Sequence, residues 1–287
     1  MATVSGADET FKVLGGDSLD GRFGLGYGLN DLTQVPLKDL RETPNDDAEF
    51  DQRIDKEVEA TEGDPVKLKN YLVDLRTRRA IAVLPGFNDF PQRNHYELEI
   101  GWSVDGKTAL AIYRQRFGNV AVAWIETRTG RVTPMRDKLE KDFQGVLIQD
   151  KGKVYSRHKK DYAISFFDPI VAGSGEVIIG CASAVIPKQD GWLDYALKFR
   201  VAKWKGRTHL VLVSAGRGGV WDYDQPLENP KEKMAKAFKR LRNRLHGTER
   251  RALEREQAEW QRLVGENGRG LEIDWRAREL QLRLDLL

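Results

Sequence analysis

Cysteine is nearly absent from this sequence, and long apolar runs are absent altogether. The one cysteine, Cys181, excludes an intramolecular disulfide, and its place in the apolar run 177–184 predicts a small buried hydrophobe rather than a nucleophile. No run of roughly eighteen apolar residues exists, which predicts no transmembrane segment. The N-terminus has neither a basic region nor an apolar core, so it predicts no signal peptide as written. We expect a periplasmic or extracellular location if a signal peptide was removed upstream, and a cytoplasmic one otherwise.

Histidine is also scarce, and the usual catalytic motifs are missing. The four histidines lie far apart without metal-ligand spacing, and there is no Gly-x-Ser-x-Gly elbow. The sequence therefore predicts no catalytic residue, no metal ion and no cofactor. Gly24, Gly26 and Gly28 alternate, which predicts a strand that another group approaches closely rather than a dinucleotide-binding turn. The glycines at 216, 218 and 219 leave two interpretations open, an anion-binding nest or a connection between domains.

Charge is balanced over the whole chain but segregated along it. The net charge is only +3, so no global field demands a nucleic acid or a membrane as partner. Residues 31–67 contain twelve acidic and five basic residues, whereas residues 231–262 contain eleven basic and five acidic. The acidic segment has little apolar surface of its own. It therefore predicts a long inserted loop with a short helix over 47–61.

An internal repeat organises the first half of the chain. Segment 18–27 matches segment 103–112, and each is followed after a gap by a second matching pair, 70–81 and 119–132. Each copy opens with Ser-x-Asp-Gly between apolar alternations, which predicts a tight turn joining two antiparallel strands. The repeats loosely resemble the hairpins of bacterial β-propeller proteins. That resemblance implies an incomplete, propeller-like array or another β-rich sheet domain.

A third, weaker copy follows. Ser174-Gly175 introduces the apolar run 177–184, and residues 195–204 lead through Lys205-Gly206 into a further strand. Residues 195–204 alternate in polarity, as a half-buried antiparallel strand does. The sequence thus predicts an α+β fold, with β-meander repeats in residues 1–225 and a helical domain in residues 226–287.

The last sixty residues have helical periodicity. Asn229-Pro230 predicts a helix start and Gly247 its end, and Thr248 is predicted to cap a second helix that runs to about 264. The two helices are predicted to form an antiparallel hairpin with a basic outer surface. A final segment, 277–287, is predicted to be a third helix because Arg, Glu and Gln fill the gaps between its apolar residues.

One family resemblance rests on this helical tail. The residues that carry it are Phe238, Leu241, Leu245, Arg250, Leu253, Gln257, Trp260 and the segment 276–280. Their spacing resembles the second half of the helical domain of LprI-type lysozyme inhibitors, over about a fifth of the chain, although the cysteines of that family are absent. The resemblance implies an exported bacterial protein that binds another protein through Gln257, Trp260 and Arg276. A plain seam against the β-rich domain is the other use of Trp260.

Three functional classes follow from these patterns. The first is a non-enzymatic protein-binding or scaffold protein of the bacterial envelope, with lysozyme inhibition as one form. The second is a hydrolase-type enzyme whose site is built from loop residues such as His95, Asp105 and Arg114. The third is a nucleic-acid binder that uses the basic helices. Acidic residues interleave with the basic ones at distances that allow pairing, so the sequence favours a solvated, salt-bridged face and the first class.

Overall fold

The protein is described by a computed structural model that covers residues 10–29, 36–44, 46–60, 68–86, 97–115, 118–158, 162–186, 189–218, 227–264 and 270–287. Within these residues the chain forms three β-sheets that are antiparallel but for one short parallel pairing, and six α-helices. The coarse prediction of antiparallel sheets followed by a helical tail is confirmed.

The first sheet contains the acidic insertion. Its strands are β1 (Thr10–Gly15), β2 (Phe23–Leu29), β3 (Arg41–Glu42), β4 (Leu68–Asp74) and β5 (Arg79–Leu84). The short β3 pairs in parallel with β1 and antiparallel with β5, so the sheet closes on itself. Helix α1 (Ala48–Ala60) follows β3, in agreement with the predicted helix over 47–61. The Asp47 carboxylate caps it by accepting the N–H groups of Glu49 and Phe50 at 3.0 Å.

The second sheet is a simple meander and shows why the sequence repeats. Its strands are β6 (Glu97–Trp102), β7 (Thr108–Gln115), β8 (Gly118–Glu126) and β9 (Arg131–Pro134). In the turn before β7, the Ser103 hydroxyl donates to Asp105 at 2.8 Å, and Gly106 has a φ of 64°. The turn before β2 repeats this geometry with Ser18 donating to Asp20 at 2.6 Å. The predicted turn role of the Ser-x-Asp-Gly motif is therefore confirmed.

The third sheet corresponds to the weaker third copy. Its strands are β10 (Ala163–Ala172), β11 (Glu176–Ile186), β12 (Gln189–Trp204) and β13 (Arg207–Arg217), paired in that order. Gly175 has a positive φ in the turn between β10 and β11, and Gly206 has one in the turn between β12 and β13, as predicted.

The first and third sheets pack on opposite faces of the second sheet. Ala109 and Ala111 of β7 pack against the first sheet, whereas Leu110 and Ile112 pack against the third. Gly101 lies so close to the third sheet that an added Cβ would overlap the carbonyl of Pro169. Helices α2 (Arg136–Lys151) and α3 (Lys153–His158) follow β9. The α2 residues Leu139, Phe143 and Leu147 belong to the hydrophobic core between the second and third sheets. The likeness of this stack to an incomplete propeller stays a prediction.

The helical tail consists of α4 (Pro230–Arg244), α5 (Gly247–Val264) and α6 (Gly270–Asp285). The predicted third helix is confirmed. The predicted pairing of the first two helices is wrong in detail, because α4 packs mainly along α6, where Leu280 and Leu284 complete its apolar face. Thr248 lies inside α5 rather than capping it.

Helix α6 joins this tail to the sheets. Its Leu282 and Leu286 pack on Ile170, Ile178 and Ala196 of the third sheet. The boundary predicted at residues 225 and 226 stays a prediction. Among the described helices, none is both long and apolar enough to cross a membrane.

Candidate functional site

The three predicted binding residues lie inside the protein. The exposed fraction is 5% for Gln257, 7% for Trp260 and 1% for Arg276. The structure brings two of them together, since the Arg276 Nε donates to the Gln257 side-chain oxygen at 3.1 Å. Burial gives these three residues a place in the interior of the fold. Their role in binding a partner stays a prediction.

Gln257 and Arg276 belong to a larger group of buried charges. We call Glu256, Arg276, Glu279 and Arg283 the charge cluster. The Glu256 carboxylate accepts hydrogen bonds from Nη1 of Arg276 and from Nη1 of Arg283, each at 2.7 Å. The Glu279 carboxylate accepts a hydrogen bond from Nη1 of Arg276, also at 2.7 Å. The second Glu256 oxygen accepts the backbone N–H of Gly173 at 2.8 Å. Two positive and two negative groups therefore join α5, α6 and the turn between β10 and β11.

The electrostatics of the charge cluster favour a structural role. Burial would raise the pKa of Glu256, but the guanidinium groups of Arg283 and Arg276 outweigh it and hold that pKa at about 2. Burial would lower the pKa of Arg276, and Glu279 and Glu256 raise it instead. Since these two groups stay charged near neutral pH, the pair is poorly suited to proton transfer.

Of the residues named for a loop-built enzyme site, the two that the structure describes, Asp105 and Arg114, are not brought together. Asp105 precedes β7 and Arg114 stands near the end of that strand, about 20 Å away at the usual rise per residue. Arg114 is engaged by Glu97 and by Glu99, whose carboxylate lies 3.1 Å from its Nε. His95 lies outside the described residues. Within the described ranges, no group of His, Cys, Asp and Glu side chains is placed to hold a metal ion.

The single cysteine and the basic helices also have defined surroundings. Cys181 is 5% exposed, and burial raises its pKa to about 12, so the thiol is inert near neutral pH. On the helices, Lys236 pairs with Glu232 at 2.6 Å, and Arg242 pairs with Glu254 at 2.6 Å. This pairing agrees with the predicted salt-bridged face.

A different surface has the features of a binding site. Strand β13 ends the third sheet, and in the described part of the chain it pairs with β12 alone. Concave space adjoins β13 in two parts, about 630 Å³ between β13 and β9, and about 520 Å³ between β13 and α2. We call these two parts together the edge groove. Its lining consists of residues 131–135, 138, 146, 149, 150, 195, 206–210, 212–215 and 217.

The edge groove is basic. Arg131, Lys138, Arg207 and Arg217 line it against one carboxylate, that of Asp150. Asp150 is already engaged, because it accepts the Tyr195 hydroxyl and the Arg217 Nε, the latter at 3.1 Å. These contacts lower the pKa of Asp150, while burial and that carboxylate raise the pKa of Tyr195 to about 12. Lys138 pairs with Asp142, a carboxylate outside the lining, so Arg131 and Arg207 carry the positive charge that no carboxylate of the lining offsets.

Apolar side chains are exposed on β13 and at its turn. Val213 lines the groove at the register shift of β13 and is 54% exposed, and Val211 on the same strand is 41% exposed. Trp204, just before the turn, is 64% exposed with the Lys205 ammonium 4.6 Å from its ring centre. Arg131 Nη1 donates to the Gly206 carbonyl at 2.6 Å and ties this turn to β9. Of these three side chains, Val213 is the one that lines the edge groove.

The sequence contained a signal for this surface. Between Asp194 and Asp222 the chain has six Lys and Arg residues and not one acidic residue. Only the pairing of strands reveals that β13 is an edge. No protein-family model matches the chain, and no curated protein matches it at a significant level.

Proposed function

We propose that the protein is a non-enzymatic binding protein that takes an extended, acidic segment of another protein into the edge groove as an added strand on β13. The free side of β13 is the observation that carries the proposal. An edge strand exposes a row of N–H and C=O groups that an incoming strand satisfies.

Side chains around the strand support this mode of binding. Concave space accompanies nearly the whole of β13, so a strand-shaped ligand has room beside it. Val213 offers an exposed apolar contact. Added strands gain affinity from main-chain bonds and specificity from alternate side chains, and an edge strand with an exposed valine supports this mode of binding.

Charge selects the kind of segment. Arg207 lines the groove without a carboxylate partner among the described residues, and Arg131 stands beside it. Basic rims of this type raise the association rate of acidic ligands and suppress basic ones. An acidic extended segment is therefore favoured over a neutral or basic one.

A pair of synthetic peptides tests the proposal. A capped ten-residue peptide alternating Glu and Val is titrated into the protein, beside a matched peptide alternating Lys and Val, with binding followed by fluorescence anisotropy. The acidic peptide should bind, the basic one should not, and hydrogen exchange should slow at the amides of β13. Slowed exchange confined to another element would contradict the proposal.

Matched variants locate the site. Arg207→Glu reverses a charge in the groove, whereas Arg200→Glu reverses an exposed charge on β12 that lies outside the groove lining. The first should weaken the acidic peptide roughly ten-fold, about 1.4 kcal/mol, and the second much less. Equal losses of affinity in the two variants would mean that the peptide responds to the overall charge of the protein, and would contradict binding in the edge groove. Tighter binding of a single-stranded oligonucleotide than of the acidic peptide would favour the nucleic-acid alternative.

Lysozyme inhibition and an envelope location rest on the resemblance of the tail alone. A lytic assay with the purified chain in excess tests the first. Undiminished lysis would reject it and would leave the peptide-binding proposal untouched.

A further inference from the structure

A separate cleft lies between the helical tail and the third sheet. It has a volume of about 720 Å³ and is bounded by α4, α6 and the ends of β12 and β13. We call it the tail cleft. Leu227, Ala237, Leu282 and Leu286 form its apolar surface. Clefts of this size and character commonly hold small organic molecules.

Positive charge surrounds this apolar surface. Lys233, Lys236 and Arg240 follow one stripe of α4, and Arg217 and Arg278 complete the set. Asp285 is the one carboxylate among the described lining residues, and it accepts the Gln281 amide at 2.7 Å.

The carboxylates that pair with these cations lie outside the cleft. Lys236 pairs with Glu232, Arg278 with Asp274 at 2.7 Å, and Arg217 with Asp150. None of those three carboxylates belongs to the lining. For Lys233 and Arg240, no carboxylate in the described part of the chain lies within ion-pair distance. Two cations thus face the cleft without compensation.

Two glycines line the tail cleft where it meets the sheet. Gly216 and Gly218 flank Arg217 there, and a Cβ on Gly218 would meet nothing within 4 Å. Among the described residues no side chain fills the space beside Gly218, and the Arg217 side chain next to it is 60% exposed.

We propose that the tail cleft binds a phosphate monoester that carries a compact apolar group. The apolar group would lie on the leucines, and the phosphate against Lys233 and Arg240. A dianion matches two uncompensated cations, and guanidinium groups bind phosphate oxygens in pairs. The tail cleft shares Arg217 with the edge groove, but the two cations assigned to the phosphate lie on α4 and belong to the tail cleft alone.

Calorimetric titration with 1-naphthyl phosphate tests the proposal. Inorganic phosphate lacks the apolar group and 1-naphthol lacks the charge, so each should bind more weakly than the ester. If 1-naphthol binds as tightly, the cleft recognises apolar surface only, and the proposal fails. Absence of measurable binding by the ester would also overturn it.

Variants on a single helix separate the cleft from the general field. Lys233→Gln with Arg240→Gln removes two charges from the lining, whereas Lys239→Gln with Arg244→Gln removes two exposed charges of α4 outside it. The first pair should weaken the ester roughly ten-fold, and the second should change it little. Equal weakening by both pairs would refute a defined site.

A third variant predicts the opposite sign. Asp285→Asn removes the one carboxylate of the described lining from an exposed position, so folding should be preserved. The ester should then bind roughly two-fold to five-fold more tightly. Unchanged or weaker binding would contradict the placement of the phosphate in this cleft.

Discussion

Replacing Glu256 by glutamine should lower the free energy of unfolding far more than a surface substitution of equal size. Glutamine keeps the shape of the side chain but removes its charge. Arg276 and Arg283, each 1% exposed, would then share the single carboxylate of Glu279. A buried charge without compensation is among the costliest changes a core can suffer.

Two estimates of the cost agree. Removing one partner from a buried ion pair typically costs about 3–5 kcal/mol. Independently, the pKa of Glu256 falls from 4.5 to about 2 on folding, and this difference corresponds to about 3 kcal/mol at pH 7. We therefore expect Glu256→Gln to lower the free energy of unfolding by about 3 kcal/mol.

The dependence on pH has a definite sign. Because the pKa of Glu256 is lower in the folded state, its contribution is complete well above pH 4.5 and is lost as the pH falls towards 2. More than half of it should be lost at pH 3. Urea unfolding of both proteins at pH 7 and pH 3 measures this, since the difference between them should shrink in acid.

Two controls make the result decisive. Glu254→Gln on the same helix should change stability little, because Glu254 forms a solvent-exposed pair with Arg242. Adding Arg283→Met to Glu256→Gln restores neutrality, so the double variant should be more stable than the sum of the single losses allows. A loss below about 1 kcal/mol, a loss independent of pH, or strict additivity would refute the reasoning.

Further outcomes follow from close packing and from burial. Gly101→Ala should lower the free energy of unfolding by about 3 kcal/mol or more, because the added Cβ would overlap the Pro169 carbonyl. Gly145→Ala in α2, where nothing lies within 4 Å of an added Cβ, should raise it by about 0.5–1 kcal/mol. Thermal unfolding compares the two variants, and stability changes of the same sign would disprove the packing argument. Cys181, with its pKa near 12, should react with the thiol reagent DTNB only after unfolding, and fast labelling of the native protein would show that the described burial is wrong.

Local patterns predicted much of the architecture. The Ser-x-Asp-Gly turns, the third meander, the helix in the acidic insertion and the last helix all follow from interactions between residues close in the chain. The alternating glycines of β2 were also predicted to allow close approach, and a Cβ on Gly26 would lie 2.8 Å from the Phe11 ring. Such features depend on backbone conformation, which a few neighbouring residues determine.

Partners distant in the chain could not be predicted in the same way. The periodicity of α4 and α5 indicated two apolar faces, but not that α4 would choose α6. Short β3 was missed because two residues carry no pattern of their own. Gln257 and Arg276 were predicted to bind a partner, and only the fold revealed that they meet Glu256 and Glu279 in the interior.

By itself the sequence determined the turns, the strands, the helices and the absence of familiar catalytic and metal-binding motifs. The tertiary structure decided which of the many charged residues are buried, paired or left facing open space. Arg276, Arg207 and Arg240 are alike in sequence, yet one is enclosed in a charge cluster, one lines an edge groove and one faces a cleft. The physical reason is that the free energy of a charge depends on its neighbours and its access to water, and folding alone supplies both.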